Sequence, residues 1–362
     1  MIKIIQQVVK VDNKLIYKPL LQQVVRWLVI LICLCGAQIS DASNLNSGVT
    51  PENLAVIINT NDPKSVEVGE YYMAARHIPQ DNLIKVALPL NTPNLSLEQL
   101  QVLRIRIYHK LTPNIQAMLL VWTTPFAVGC NSITSALTLG YDAKQCDNGC
   151  SLGKESDYFD AKSRQPFTHY GLRLSMLLPI ESVEKAKALI DRGVLSAFKT
   201  NEASAYFLKT SDTARSSRAL FFPKSARIDA KKLELKTLDA DFIKDKHDVM
   251  FYFTGQSQVE GLDTLTFMPG AIADHLTSFG GDLLGTGQMS SMKWLDAGAT
   301  GSYGTVSEPC NYWQKFPNPR VVLQHYLAGE TLIEAYWKSV KWPAQGVFIG
   351  EPLAAPYQMP SF

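Results

Sequence analysis

An α/β fold, with a mostly parallel sheet and helices on both faces, is what the sequence predicts. Three observations carry that prediction. Short, continuous apolar runs recur along the chain; segments with helical apolar spacing lie between them; turn residues mark the junctions. Apolar strands without alternation, separated by amphipathic helices, belong to a sheet covered on both sides. The 362 residues are 46% hydrophobic and 19% charged, enough to bury a full core.

Taken in order, Asn53–Thr60 (NLAVIINT) reads as a strand that ends at the turn Asn61-Asp62-Pro63. Ser65–Arg76 has helical spacing, and Asn82–Leu90 (NLIKVALPL) is a second strand. Ser96 caps a helix to about Leu111, with Gln99 at the capping-box position. Ile115–Thr123 (IQAMLLVWT) is a third strand. Residues 124–169 then break the rhythm: they hold three cysteines, several Gly and Asp residues and little periodicity. They read as a long Cys-containing loop insertion or subdomain, held by disulfide and lying over one edge of the sheet, and loops of that length are often functional.

Regular structure resumes with a strand at Gly171–Ile180, a helix at Ser182–Phe198 capped by Ser182, and a strand at Ala205–Lys209. The lysine-rich stretch 210–246 reads as a surface helix with connections. Asp248–Phe253 (DVMFYF) is a buried strand that leads into Thr254-Gly255-Gln256. Ala271–Ser278 reads as a strand or short helix, and Ser291–Ala297 as helical. Ala299–Val306 is a Gly-bearing strand, Asn318–Lys341 one or two helices broken near Gly329, and Gly346–Pro352 the last strand. No linker divides residues 43–362, which are expected to form a single domain.

The N-terminus has the three parts of an export signal. Lys3, Lys10, Lys14, Lys18 and Arg26 form a basic start, Trp27–Ala37 is an apolar run, and Ser40-Asp41-Ala42 offers small residues for cleavage. The run is shorter than the ~20 residues of a membrane span. Residues 1–42 are therefore expected to be a signal segment, with a membrane anchor as the alternative if it stays attached. The expected location is periplasmic or extracellular. Losing that segment takes the net charge from +2 to −1, leaving 30 basic and 31 acidic residues. Such a balance leaves no electrostatic footprint for nucleic acid.

Four cysteines follow the signal: Cys130, Cys146, Cys150 and Cys310. An even count in an oxidising compartment points to disulfides. Cys146 and Cys150 flank Asn148-Gly149 and can close a small loop, leaving Cys130 for Cys310, although three connectivities are open. C-x3-C is a poor zinc spacing, so no metal is expected. Nothing in the sequence points to a cofactor.

The motifs GATGSYGTVSEPCN (298–311), GETLIEAYWKSV (329–340) and GVFIGEPL (346–353) resemble an uncharacterised family of bacterial exported α/β proteins. The opening segment 51–83 resembles that family as well. The resemblance implies export and an α/β fold, and no activity. The order of elements in 248–306 also resembles caspase- and gingipain-like cysteine peptidases, giving a caspase/Rossmann-like layering. In those enzymes a His follows one strand and a Cys the next, because a thiol needs a nearby imidazole to become a thiolate. Here Gln256 stands where the base is wanted, and Thr277-Ser278-Phe279 holds no Cys. The resemblance therefore implies the scaffold with the dyad absent.

Candidate chemistry remains around these strand ends. Ser278, His275 and Cys310 are the candidate catalytic residues, with His325 or His275 as a partner for a Cys310 thiol. Gln256, Glu308 and Glu351 are candidate ligand-binding residues, and Glu308 and Glu351 are expected to line the same sheet edge as a carboxylate pair. Gly298, Gly301 and Gly304 lack the dinucleotide-binding spacing and suggest close backbone packing. Two functions follow. One is a non-catalytic cell-envelope binding or assembly module on a peptidase-like scaffold, with an unknown envelope partner or small ligand. The other is an exported hydrolase with a site near Ser278, His275, Glu308 and Cys310.

Overall fold

The computed structural model describes residues 48–148, 150–196 and 201–359. The segment read above as an export signal, residues 1–42, lies outside them. The first part of the chain runs β1 (Leu54–Asn59), α1 (Pro63–Ala75), β2 (Leu83–Val86), β3 (Asn94–Leu95), α2 (Leu97–Tyr108) and β4 (Ala117–Val121). Then come β5 (Ala127–Val128), β6 (Asn131–Ser132), α3 (Ile133–Leu139), α4 (Lys144–Asp147), α5 (Pro166–Tyr170), β7 (Leu174–Leu178) and α6 (Val183–Leu195). The remainder is β8 (Ala203–Lys209), β9 (Ala226–Ile228), β10 (Leu233–Asp239), β11 (Lys246–Thr254), β12 (Leu265–His275), α7 (Met292–Ala297), β13 (Gly301–Thr305), α8 (Pro319–Leu327), α9 (Leu332–Ser339) and β14 (Gly346–Gly350).

Eleven strands form one sheet in the order β2-β1-β4-β7-β14-β13-β12-β11-β8-β10-β9. Neighbours are parallel from β2 to β14 and again from β13 to β10. The two parallel sets meet back to back at the antiparallel pair β13–β14, where Gly301 faces Gly350 and Thr305 faces Gly346. Every residue of β1, β4, β7, β13 and β14 is buried. Since successive side chains point to opposite faces, full burial means that both faces are covered. The expected mostly parallel α/β sheet is what the chain forms.

Local chemistry sets the helix starts. Asp62 accepts from the Lys64 amide at 3.0 Å, with Pro63 opening α1. Ser96 and Gln99 form the reciprocal capping box on α2, and Ser182 accepts from the Lys185 amide to cap α6. Gly298 ends α7 at φ 115°, a left-handed conformation that costs glycine little. The core is rich in aromatics: Trp337 stacks on Phe348 at 4.3 Å and Tyr252 meets Trp294 edge-on at 5.0 Å. Each such side chain contributes about 2–3 kcal/mol by leaving water.

Two regions differ from the sequence expectation. Of the long loop or subdomain expected at residues 124–169, the chain forms the subdomain: the Cys-containing insertion includes α3, whose Ile133, Ala136 and Leu137 are fully buried, so it does not merely overlie the sheet edge. Ser132 and Ser135 fasten this helix to the chain entering β14, through the Gly346 and Pro343 carbonyls, both at 2.5 Å. The helix was hidden because Ser and Thr fill its inward turns, satisfied by backbone rather than by apolar packing. Residues 210–246 hold only two single 3-10 turns, Ala219–Phe221 and Asp229–Lys231, in place of a surface helix, together with strands β9 and β10, with β10 parallel to β8. Leu233 and Leu235 are buried while Glu234 is exposed, a short alternation masked by the surrounding lysines.

Candidate functional site

The parallel set β10-β8-β11-β12-β13 delivers its C-terminal ends to one edge of the sheet, where open α/β sheets place their sites. Polar side chains meet there. Gln256, just past β11, donates from Nε2 to Asp241 Oδ1 at 3.0 Å. Asp241 also accepts from the Ser211 amide at 2.7 Å and hydroxyl at 2.9 Å, and these donors hold its carboxyl below the usual range. Past β12, the Thr277 hydroxyl donates to Gln288 Oε1 at 2.7 Å and accepts from Arg215 Nε at 3.2 Å. Arg215 in turn pairs with Asp212 at 2.6 Å. A hollow of about 320 Å³ lies alongside, lined by Phe279, Asp282, Gly285, Gly287 and Gln288.

Ser278 sits half-buried on this rim. Its backbone carbonyl accepts from the Thr305 hydroxyl at 2.8 Å. His275, three residues earlier, does not serve it. The imidazole is buried, with Nδ1 accepting from Trp294 Nε1 and Nε2 facing the Met289 carbonyl, both at 2.9 Å. Indole N–H can only donate, so Nδ1 is the acceptor and Nε2 carries the proton. Burial pushes this ring down to about 3, which keeps it neutral. It is a hydrogen-bonded core histidine.

Asp274 lies on the opposite face of β12, buried and paired with Arg218. Burial pushes its carboxyl up to about 6 despite the guanidinium. Arg218 also donates to the Thr254 carbonyl at 2.9 Å and the Pro317 carbonyl at 3.2 Å, tying the ends of β11 and β12 to the chain before α8. This pair underlies the rim without reaching it.

Cys310 is bonded to Cys150, and Cys130 to Cys146. The Cys146–Cys150 loop closure expected from spacing is not formed. Cys310 presents no thiol here, and its candidate partner His325 is held elsewhere. His325 on α8 contacts Glu330 Oε1 through Nδ1 at 2.8 Å and Asp160 Oδ1 through Nε2 at 2.9 Å. Glu330 also pairs with the buried Lys338 at 2.7 Å. Glu308 is exposed and accepts from the Cys310 amide at 2.7 Å.

Glu308 and Glu351 are not neighbours, contrary to expectation. Glu308 follows β13 and Glu351 follows β14, and those strands are antiparallel. The two carboxylates therefore leave opposite edges of the sheet, separated by at least the ~14 Å of four strand residues. Glu351 is fully buried, accepting from Tyr72 at 2.8 Å and from Arg76 at 2.5 Å. It anchors α1 to the end of β14.

Glycine spacing has a packing explanation. A Cβ on Gly304 would strike the backbone of Gly280 and Gly281, and the Gly281 amide donates to Thr305 at 2.9 Å. The aromatic run after Cys310 also packs: Trp313 meets Phe221 at 4.6 Å and Phe316 meets Tyr303 at 6.3 Å. Among the described residues no three His, Cys, Asp or Glu side chains gather as metal ligands. No described helix is long and apolar enough to cross a membrane. Sequence reading missed Asp241, Arg215, Thr277 and Gln288. Asp241 and Arg215 lie in the stretch misread as a surface helix, and Gln288 closes a glycine-rich loop without periodicity.

No protein-family model and no curated protein matches this chain. Solved structures do. The Arg-specific cysteine proteinase gingipain R superposes with a TM-score of 0.50 at 12% identity, covering 86% of this chain and 79% of that one. A structure described as a protease gives 0.48 at 10% identity, over 86% and 80%. Likeness at such identity is one of fold, so this chain has an α/β fold similar to that of gingipain R.

Proposed function

We propose that the chain is an exported, non-catalytic cell-envelope binding or assembly module built on a peptidase-like scaffold. The observation that carries this reading is the composition of the strand-end rim. Where the scaffold calls for an imidazole and a thiol, the chain has Gln256, bonded to Asp241, and Ser278, whose hydroxyl bonds to no base among the described residues. An amide is no proton acceptor at ordinary pH, and a serine hydroxyl without a base is a weak nucleophile. His275, Cys310 and Glu308 do not converge on Ser278: each is engaged elsewhere. What the rim does offer is a concave, hydrogen-bonding surface beside a hollow, suited to holding a ligand.

Export is supported by the two disulfides, which persist in oxidising compartments. The motif resemblance to bacterial exported α/β proteins, and the reading of residues 43–362 as one domain behind a cleaved signal, belong to the same proposal. Treating the purified, oxidised protein with serine- and thiol-reactive activity probes tests the non-catalytic reading. No labelling is expected. Labelling at Ser278, or at Cys310 without prior reduction, would replace the module with an exported hydrolase. N-terminal sequencing of the mature protein, expected to start just after Ala42, tests export separately.

A further inference from the structure

Helix α2 covers β2, the edge strand of the sheet, and carries apolar side chains on two faces. Leu100, Leu103 and Ile107 face the core, as an amphipathic helix requires. Val102 and Ile105 face solvent, 48% and 69% exposed, and Leu97 at the start of the same helix is 41% exposed. Single exposed aliphatics need no explanation, but several gathered on one edge mark an interaction surface. The same helix walls an apolar groove of about 310 Å³ whose lining includes Leu88, Pro89, Leu95, Val102 and Leu103, with Glu98 and Arg106 on its rim.

The charges say what fits there. Glu98, Val102 and Arg106 stand at i, i+4 and i+8, one row along the helix surface. The row is apolar in the middle, acidic at one end and basic at the other. A two-fold axis at Val102 brings an identical row alongside in the opposite direction, so that each Glu98 meets the other copy's Arg106. Rows of this spacing run along one another when helices cross at about 50°. Self-complementarity about a two-fold is the requirement for an isologous dimer. Arg106 has no ion pair among the described residues, and Glu98 uses only Oε2, which accepts from the Ser96 hydroxyl at 2.7 Å. The edge strand itself is poorly suited to pairing, because the exposed Lys85 sits in the middle of its short span.

We infer that the α2 face is a homodimer interface: two copies pack α2 against α2 about a two-fold axis at Val102, with Ile105 directed toward the partner's groove and Glu98–Arg106 pairs at both ends. This goes beyond the reading of the strand-end rim and does not depend on it.

Light scattering coupled to size-exclusion chromatography on the purified full chain, loaded at roughly 100 µM, tests the inference. A dimer is expected. Val102→Glu should give monomer. Glu98→Arg and Arg106→Glu should each weaken the dimer at least about tenfold by placing like charges together, and Glu98→Arg/Arg106→Glu together should restore it. These positions are exposed, so each variant should keep the wild-type circular dichroism and melting temperature. A monomeric wild type overturns the inference. So does a dimer that ignores Val102→Glu, or single charge reversals that the double variant fails to rescue.

Discussion

Two layers at the end of β12 differ more than their spacing in the sequence suggests. Asp274 and His275 lie in the dry interior, and their titration is displaced in opposite directions, the carboxyl up to about 6 and the imidazole down to about 3. Ser278, three residues further on, reaches the half-buried rim, where its carbonyl accepts from Thr305, while Thr277 just beneath it is buried and bonds to the Gln288 amide and the Arg215 guanidinium. Perturbed titration in a cleft is a sign of catalysis. Here the perturbed groups are one layer below any surface a substrate could touch, and desolvation is the leading cause for both. What they do is hold strands in register beneath a rim that is chemically mild.

The largest effect expected of that difference comes from the buried ion pair. Arg218→Met leaves the Asp274 carboxylate without its counter-charge and takes one donor each from three backbone carbonyls, of which Thr254 still accepts from the Leu276 amide. A loss of about 3–5 kcal/mol is expected in urea unfolding. Replacing both partners, as Arg218→Met/Asp274→Leu, should cost less than the single change, since no buried charge remains. A single variant that unfolds like wild type would mean that the lower layer is as dispensable as the rim.

His275 supplies the next effect, and pH separates it from its neighbour. His275→Gln loses at least one of two buried hydrogen bonds and is expected to cost about 1–3 kcal/mol at neutral pH. On the unfolded chain this ring takes up a proton near its ordinary 6.5, whereas in the folded protein it does so only near 3. Acid therefore favours unfolding through this group, and its contribution falls as pH drops below about 6.5. Asp274 works the other way: raised to about 6, it binds its proton more readily when folded, and its contribution falls as pH rises through that value. Between about pH 4 and 6 the two oppose each other in the wild type. Asp274 is common to wild type and His275→Gln, so its share cancels in their difference. That difference should shrink by up to about 1.4 kcal/mol per pH unit on acidification. Denaturant midpoints at several pH values read it directly; a constant difference would place His275 in a wetter setting than its contacts indicate.

How much of this was legible depends on the signal involved. The sheet was legible wherever strands are apolar on both faces, as in LAVIIN of β1 and AMLLV of β4, and capped helices announced themselves at Ser96 and Ser182. Long-range pairings were not. Cys150 with Cys310 joins residues 160 apart, and no local pattern favours it over the nearby Cys146. The reversal of β14 against β13 likewise leaves no local mark, yet it decides that Glu308 and Glu351 lie on opposite edges. For the site, the absence of an imidazole at Gln256 was plain from the residues. The role of Asp241 was not, because its partners come from two separate loops, at Ser211 and Gln256.

The smallest effect is expected on the rim itself. Ser278 contributes its carbonyl to the fold, through Thr305, and a side-chain change leaves that bond in place. Asp241 keeps both Ser211 donors when Gln256 is removed. Ser278→Ala and Gln256→Ala should therefore each stay within about 0.5 kcal/mol of wild type, the range of surface changes that break no buried network. The same urea titrations used for the deeper variants measure this. A cost above about 1 kcal/mol at either position would make the rim part of the structural layer and leave it less free to serve as a binding surface. Near-neutral stability, with the large losses confined to Arg218 and His275, is what a rim available for ligand contact requires.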